Sequence, residues 1–104
     1  MTASRPALLI CIASLLAPAC AFADAELARK RICLGCHDLQ QKKVGPAFRD
    51  IARRYAGQPD ASARMADKIV HGSAGAWGAV PMPANPKVTP DEARVLANWL
   101  LAVQ

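Results

Sequence analysis

No apolar run in this sequence reaches the roughly 20 residues that a membrane-spanning helix needs. The apolar stretch at residues 7–17 is shorter and is interrupted by Pro18. No segment alternates apolar and polar residues as half-buried strands do, and there is no internal repeat or low-complexity tract. Basic residues outnumber acidic ones by 13 to 8 but form no basic helix. These absences weigh against a membrane protein, a βαβ fold and nucleic-acid binding.

The apolar stretch has the features of an export signal. Arg5 precedes it, and Ala21-Phe22-Ala23 forms a small-x-small cleavage pattern. We therefore predict that residues 1–23 are a cleaved signal peptide and residues 24–104 a periplasmic domain with no stable membrane association, most simply a monomer. Two alternatives stay open: an uncleaved membrane anchor, and lipid attachment at Cys20, for which Pro18 is a poor fit.

Cleavage removes two of the four cysteines and leaves Cys33 and Cys36 in the motif Cys33-Leu34-Gly35-Cys36-His37. This C-x-x-C-H pattern is typical of covalent c-type haem attachment. Residues three and four apart on a helical turn share a face, so both thiols can bond the haem vinyl groups while His37 faces the iron. A zinc site that adds His71, a redox dithiol and a structural disulfide are the alternatives.

Cleavage leaves 81 of the 104 residues, enough for one small domain that needs a covalent or bound group to complete its core. Apolar spacing and breakers predict four helices and no strand. Asp60 is the expected N-cap of the third helix, and Thr89-Pro90-Asp91-Glu92 forms a capping box before the fourth. Glycine and proline fill the loop at residues 72–88, whose length indicates a functional role. The helices are predicted at residues 24–31, 48–55, 61–70 and from 90 onward. Their predicted apolar faces are Phe48, Ile51, Ala52 and Tyr55 in the second helix, Met65, Ile69 and Ala66 in the third, and Val95, Leu96, Trp99, Leu100 and Val103 in the fourth.

One protein ligand leaves the other side of the iron open, and three residues compete for it. Met82 lies between Pro81 and Pro83, which hold the backbone extended and lower the cost of presenting the sulfur. Met65 lies in a helical apolar stripe, where methionine is commonly core, and His71 lies at a helix end. Met82 is favoured. A thioether ligand raises the reduction potential, and a filled site excludes oxygen, which predicts an electron carrier rather than an enzyme.

With the haem motif, five further segments carry a family resemblance: Val44-Gly45-Pro46-Ala47, Gly57-Gln58, His71-Gly72-Ser73, Trp77-Gly78 and Pro81-Met82-Pro83. Together they resemble the small bacterial class I cytochromes c, most of all the periplasmic type that donates electrons to nitrite reductase and terminal oxidases. The resemblance implies an all-α fold of about four helices around one covalent haem, and transient docking onto redox partners.

The resemblance also implies roles for single residues. The carbonyl of Pro46 accepts a hydrogen bond from the proximal histidine, Trp77 donates to a haem propionate, and Asn85 hydrogen-bonds near the methionine sulfur. Lys68 takes the place of a propionate-binding arginine, keeping the charge without the bidentate fork. Ile32 takes the place of an expected glycine.

Two other functions remain as alternatives. One is a haem peroxidase or gas-binding protein in which Met82 leaves the iron, although the sequence offers no distal acid–base pair. The other is a haem subunit of a larger dehydrogenase or oxidase. The basic excess, with Lys42 and Lys43 as candidates, favours docking onto acidic redox proteins, unless these side chains are merely a solvated surface.

Overall fold

The computed structural model describes residues 19–104, and within them it has four α-helices and no strand. This confirms the predicted all-α class. The haem motif forms a short 3-10 turn at Cys33–Gly35, and an isolated pair of backbone hydrogen bonds joins Ser73 to Met82. The helices are α1 (Ala19–Lys30), α2 (Phe48–Tyr55), α3 (Ala61–His71) and α4 (Pro90–Leu101).

The start of the chain bears on the predicted signal peptide. Helix α1 begins ahead of the expected cleavage site after Ala23, and residues 1–18 lie outside the described part. The domain boundary therefore stays a prediction, as does lipidation at Cys20. Among residues 19–104, no helix is long and apolar enough to cross a membrane.

The predicted helix caps have different outcomes. At α4, the Thr89 hydroxyl accepts from the Glu92 backbone N–H at 3.2 Å, and the Thr89 N–H donates back to the Glu92 carboxylate at 3.3 Å. The capping box is confirmed. Asp60 does precede α3, but its side chain makes no cap and instead pairs with Arg64 at 3.2 Å. Its φ of −99° and ψ of 6° are outside the extended conformation that directs an N-cap side chain at the first turn.

Helix α4 organises the core, because it packs against each of the other three helices. Its buried face follows the i, i+3, i+4, i+7 spacing of Ala93, Leu96, Ala97 and Leu100. Val95 was predicted on this face but is exposed, since it lies one residue, about 100°, away from Leu96. The predicted inward faces of α2 and α3 are confirmed, and their buried residues are Phe48, Ile51, Ala52, Tyr55, Met65, Ala66 and Ile69.

An ion pair joins the end of α1 to the start of α4. Arg31 donates from Nε and Nη2 to the two carboxylate oxygens of Glu92, at 3.0 and 2.7 Å. The hydrogen bond from Arg31 is the main reason that the pKa of Glu92 is lowered from its ordinary value of 4.5. A lowered pKa means that folding favours the ionised carboxylate, so this stability is present above pH 4.5 and is lost as the pH falls below it.

We expect Glu92→Gln to lower the guanidinium unfolding midpoint at pH 7 and to lose less stability than the parent between pH 5 and pH 3. Glutamine keeps the N3 side of the capping box and removes only the charge. The control is Asp91→Asn on the neighbouring residue, whose carboxylate pairs with exposed Arg94. If the parent and Glu92→Gln lost the same stability between pH 5 and pH 3, the ion pair of Glu92 with Arg31 would not be the source of this acid sensitivity.

Ile32, directly before the haem motif, has a strained backbone. Its φ is 63° and its ψ 21°, the left-handed region in which a β-branched residue is a clear outlier. The helix must turn sharply here to bring Cys33 to the pocket, and the side chain remains 77% exposed. The resemblance places a glycine at this position, and the positive φ supplies the physical reason.

Ile32→Gly should therefore raise the free energy of unfolding of the holoprotein by about 0.5–1 kcal/mol. The left-handed conformation costs an ordinary residue about 1–2 kcal/mol, which glycine avoids. The greater conformational entropy of glycine in the unfolded chain offsets part of this stabilisation. Guanidinium titration of the oxidised protein measures it. Ile32→Val is the matched control, because valine keeps the branched Cβ and the strain. If the glycine variant were no more stable than the valine variant, the left-handed backbone at residue 32 would not lower the stability of the protein.

Candidate functional site

One pocket brings together every residue that the sequence analysis assigned to the site. It lies between the 3-10 turn, the four helices and the loop at residues 72–88, and most of its lining is apolar. The predicted residues that line it are Cys33, Cys36, His37, Pro46, Lys68, Trp77, Met82 and Asn85.

His37 is buried at one wall of the pocket, with 9% of its surface exposed. Its Nδ1 donates to the Pro46 carbonyl at 2.7 Å, the hydrogen bond that the resemblance implies. The Phe48 ring stacks against it at 5.1 Å between centroids. With Nδ1 used and the ring held, Nε2 carries the free lone pair that an iron ligand needs.

Gly45 allows the backbone to reach this ring. A Cβ built on Gly45 would lie 2.5 Å from Cε1 and 2.9 Å from Nδ1 of His37. Any side chain here would push the imidazole out of place. The glycine before Pro46 is thus explained by contact with the histidine.

Cys33 begins the 3-10 turn and Cys36 is its C-cap, and no disulfide joins them. Cys36 is exposed, whereas Cys33 is half-buried, and burial raises the pKa of its thiol. A raised pKa reduces the thiolate fraction, which disfavours a redox dithiol. Within residues 19–104, no three metal-ligating side chains among His, Cys, Asp and Glu come together, so a zinc site has no support there.

Met82 is held by its backbone, which leaves its side chain free to face the pocket. Its N–H donates to the Ser73 carbonyl at 2.8 Å, and its carbonyl accepts from the Ser73 N–H at 3.0 Å. Gly72, with φ of 80°, makes this approach feasible, since a Cβ there would lie 2.6 Å from the Met82 oxygen. The methionine is therefore anchored to the end of α3.

The two rival ligands differ in position. His71 lies outside the pocket with 71% of its side chain exposed, and its Nδ1 pairs with Asp67 at 3.0 Å. The last turn of α3 directs it to solvent, away from the pocket that Met82 lines. Met65 is buried and does line the pocket, from the inner face of α3.

Lys68 and Tyr55 form a polar pair in the pocket wall. The Lys68 ammonium donates to the Tyr55 hydroxyl at 3.0 Å and lies 5.4 Å from the centre of that ring. Lysine is thus present where the resemblance places a propionate ligand, with its charge oriented by a tyrosine that the sequence analysis treated only as core.

Asn85 ties the loop to α3. Its Nδ2 donates to the Ile69 carbonyl at 2.9 Å, and its backbone N–H donates to the Val70 carbonyl at 3.1 Å. It lines the pocket beside the Met82 segment. The hydrogen bond expected near the methionine sulfur stays a prediction, whereas the observed bonds of Asn85 hold the loop backbone that carries Met82.

These features fit a haem. Apolar side chains of all four helices suit a flat macrocycle. Two thiols and a correctly oriented imidazole come from the haem motif, and a thioether comes from the opposite loop. The cation Lys68 and the indole of Trp77 suit anionic substituents. Three residues with contacts at the site were not predicted as functional: Arg54, Tyr55 and Ser73. Their partners lie 9 to 22 positions away in the chain, and only Ser73 had a signal, its place beside Gly72.

Comparison with known proteins identifies this architecture. A family model described as cytochrome c matches residues 25–104. Cytochrome c-552 of Hydrogenobacter thermophilus is 49% identical over 83 residues, covering 80% of this chain and 84% of that protein. Cytochrome c-552 of Nitrosomonas europaea is 46% identical over 91 residues, covering 88% of each. The crystal structure of wild-type Nitrosomonas europaea cytochrome c552 superposes with a TM-score of 0.75, covering 77% of this chain and 99% of that one.

Proposed function

Because this chain belongs to the cytochrome c family, we propose that Cys33 and Cys36 form the thioether bonds to its haem and that His37 and Met82 bind the iron. The protein carries one covalently attached haem c and is an electron carrier. The observation that carries the ligand assignment is the anchoring of two ligand types in one apolar pocket: an imidazole held by Pro46 and a thioether held by Ser73.

The haem, when bound, supplies an iron atom that exchanges one electron. The chain's residues set the conditions for that exchange. Pro46 keeps the His37 ring in one tautomer and orientation, and the paired bonds to Ser73 keep Met82 in one position. Ligands held in this way need little rearrangement between oxidation states. The apolar lining excludes water, and the thioether favours ferrous iron, so both raise the potential.

The test is the optical spectrum of the oxidised protein matured in the periplasm. We expect the weak far-red sulfur-to-iron charge-transfer band that marks a thioether ligand. Its absence, together with carbon monoxide binding by the folded ferrous protein, would overturn the Met82 assignment. Ligand binding would then become the better function.

The peroxidase alternative is not favoured. Among the described residues that line the pocket there is no carboxylate, and His37, the one histidine, is the buried last residue of the haem motif. Cleaving a peroxide bond needs an acid–base group on the open side of the iron. The other alternative, a permanent haem subunit of a larger enzyme, is tested by purification at moderate salt. A permanent subunit should co-purify with its partner, whereas a free carrier should not.

We further propose that the protein works in the periplasm, as a monomer that docks transiently on a reductase or oxidase. Its pocket opening is bordered by the exposed side chains of Ile32, Val44 and Val80. Exposed Lys42 and Lys43 directly precede Val44, and the Lys43 ammonium donates to the Leu34 carbonyl of the haem motif at 2.9 Å. This apolar rim with adjacent lysines suits a partner with acidic residues around its own redox site.

Charge reversal in Lys42→Glu/Lys43→Glu should slow the second-order reaction with an acidic redox partner about tenfold at low ionic strength. The deficit should largely disappear at about 1 M salt, where charges more than roughly 3 Å apart are screened. Stopped-flow mixing measures both rates. Lys87→Glu is the control, because Lys87 is exposed and does not line the pocket. Equal rates for the parent and the double variant would contradict this docking face.

A further inference from the structure

Arg54, one residue before the end of α2, contacts the loop that carries Trp77. Its guanidinium carbon lies 4.5 Å from the centroid of the Trp77 ring, and its Nη1 donates to the Ala76 carbonyl at 2.5 Å. The same guanidinium lies 5.9 Å from the ring centroid of Tyr55. One side chain therefore links α2 to a loop segment 22 residues further along the chain.

Trp77 has few other constraints. It is 39% exposed and lies in the segment between Ser73 and Met82, which has no regular secondary structure in the described chain. Gly75 and Gly78, on either side, both have positive φ, so the local backbone is of the kind that only glycine adopts easily. A planar guanidinium stacked on the indole, with a bond to the preceding carbonyl, fixes both the ring plane and the backbone.

The charge of Arg54 also differs from that of its neighbours. Arg53 and Arg49 lie near Asp50, and Arg64 pairs with Asp60. Within residues 19–104, no carboxylate lies within 4.0 Å of Arg54. Its positive charge is uncompensated and lies against the pocket wall formed by Trp77 and Tyr55.

We propose that Arg54 is a positioning residue: it fixes the plane of the Trp77 indole, whose N–H the family resemblance assigns to a haem propionate, and its uncompensated charge raises the reduction potential. Both parts rest on the proposed function, since they require the haem to lie in this pocket. A nearby cation favours the reduced form, which carries one positive charge fewer.

Two variants separate orientation from charge. Arg54→Lys keeps the positive charge but loses the planar guanidinium that stacks on the indole and its paired N–H donors. Arg54→Met keeps an apolar side chain and loses the charge, the stacking and the donors. Arg53→Met is the matched control, because Arg53 is the adjacent arginine of the same helix, is 72% exposed and makes no contact with Trp77. Trp99, packed edge-on against Phe48, is the control indole within each protein.

The experiment measures indole N–H hydrogen exchange by NMR and the reduction potential, both on the holoprotein. We expect Trp77 exchange to be about tenfold faster in Arg54→Met and Arg54→Lys, with Trp99 unchanged. The potential should fall in Arg54→Met, and in Arg54→Lys it should stay close to that of the parent. Arg53→Met should leave Trp77 exchange unaltered and shift the potential less than Arg54→Met does.

Unchanged Trp77 exchange in both Arg54 variants would overturn the positioning role. Equal acceleration at Trp99 would also overturn it, because that pattern indicates general destabilisation. The far-red band of the parent keeps this test separate from the ligand assignment. If that band is absent, the Met82 proposal fails whatever Trp77 does, whereas a retained band with unchanged Trp77 exchange counts against Arg54 alone.

Discussion

Met82→Ala should abolish the far-red sulfur-to-iron band and lower the reduction potential by a large part of the roughly 0.8 V range that axial ligands span. The reason is that alanine offers no electron pair, so the stabilisation of ferrous iron by the thioether is lost. Both hydrogen bonds between residue 82 and Ser73 use backbone atoms. The loop should therefore keep its conformation, and the effect should be confined to the iron.

The matched control is Met65→Leu. Met65 is the other methionine that lines the pocket, is 7% exposed and lies on the inner face of α3. A leucine of similar volume should cost less than about 1.5 kcal/mol of stability and leave the band in place. The ferrous Met82→Ala protein should bind carbon monoxide, whereas the Met65→Leu protein should not. If the band disappears in Met65→Leu and persists in Met82→Ala, Met65 is the iron ligand and the assignment of Met82 is wrong.

Removal of the haem should leave the chain largely unfolded. In Cys33→Ala/Cys36→Ala, which removes both attachment points, we expect most of the helical circular dichroism to disappear. A chain near 60 residues buries only about 60% of its unfolded surface, and domains of about 80 residues gain little margin over that. Here the apolar side chains that would form the centre of the core instead line a pocket, among them Ile51, Met65, Ile69, Leu96 and Leu100.

Two single variants provide the control. Cys33→Ala and Cys36→Ala each keep one attachment point together with His37, so each should retain haem and most of the helical signal after maturation in the periplasm. Circular dichroism at 222 nm and the pyridine haemochrome spectrum measure the two properties in each sample. Full native helicity in a haem-free double variant would show that the helices form a stable core alone and would contradict the prediction.

The features that the sequence predicted well are local. The haem motif is five consecutive residues, the capping box is four, and the apolar faces of α2 and α3 are set by a repeat of three to four residues. In each case the physical cause acts within about one helical turn, so the neighbours in the chain suffice. The small cytochrome c fold followed from the resemblance carried by these motifs, and it is confirmed.

Other features depend on contacts between distant residues. Arg31 pairs with Glu92 across 61 positions, and Arg54 reaches the loop of Trp77 across 22. Neither pairing has a sequence signal, because either arginine had several carboxylates or carbonyls that it could have met. Val95 was placed on the buried face because its residue type suited it. In the structure it lies about 100° around α4 from Leu96 and is exposed, because Ala93, Leu96, Ala97 and Leu100 form the buried face.

By itself, the sequence determined the class of cofactor, the four helices and the set of candidate ligands, since thiol, imidazole and thioether chemistry belongs to residue types. The tertiary structure decided which candidates share a pocket. It retained Met82 and Met65, directed His71 to solvent, and placed Gly45 and Gly72 where only a glycine lets the backbone approach His37 and Met82. The physical reason is that a ligand's identity is a property of one residue, whereas its position is a property of every contact that holds the backbone around it.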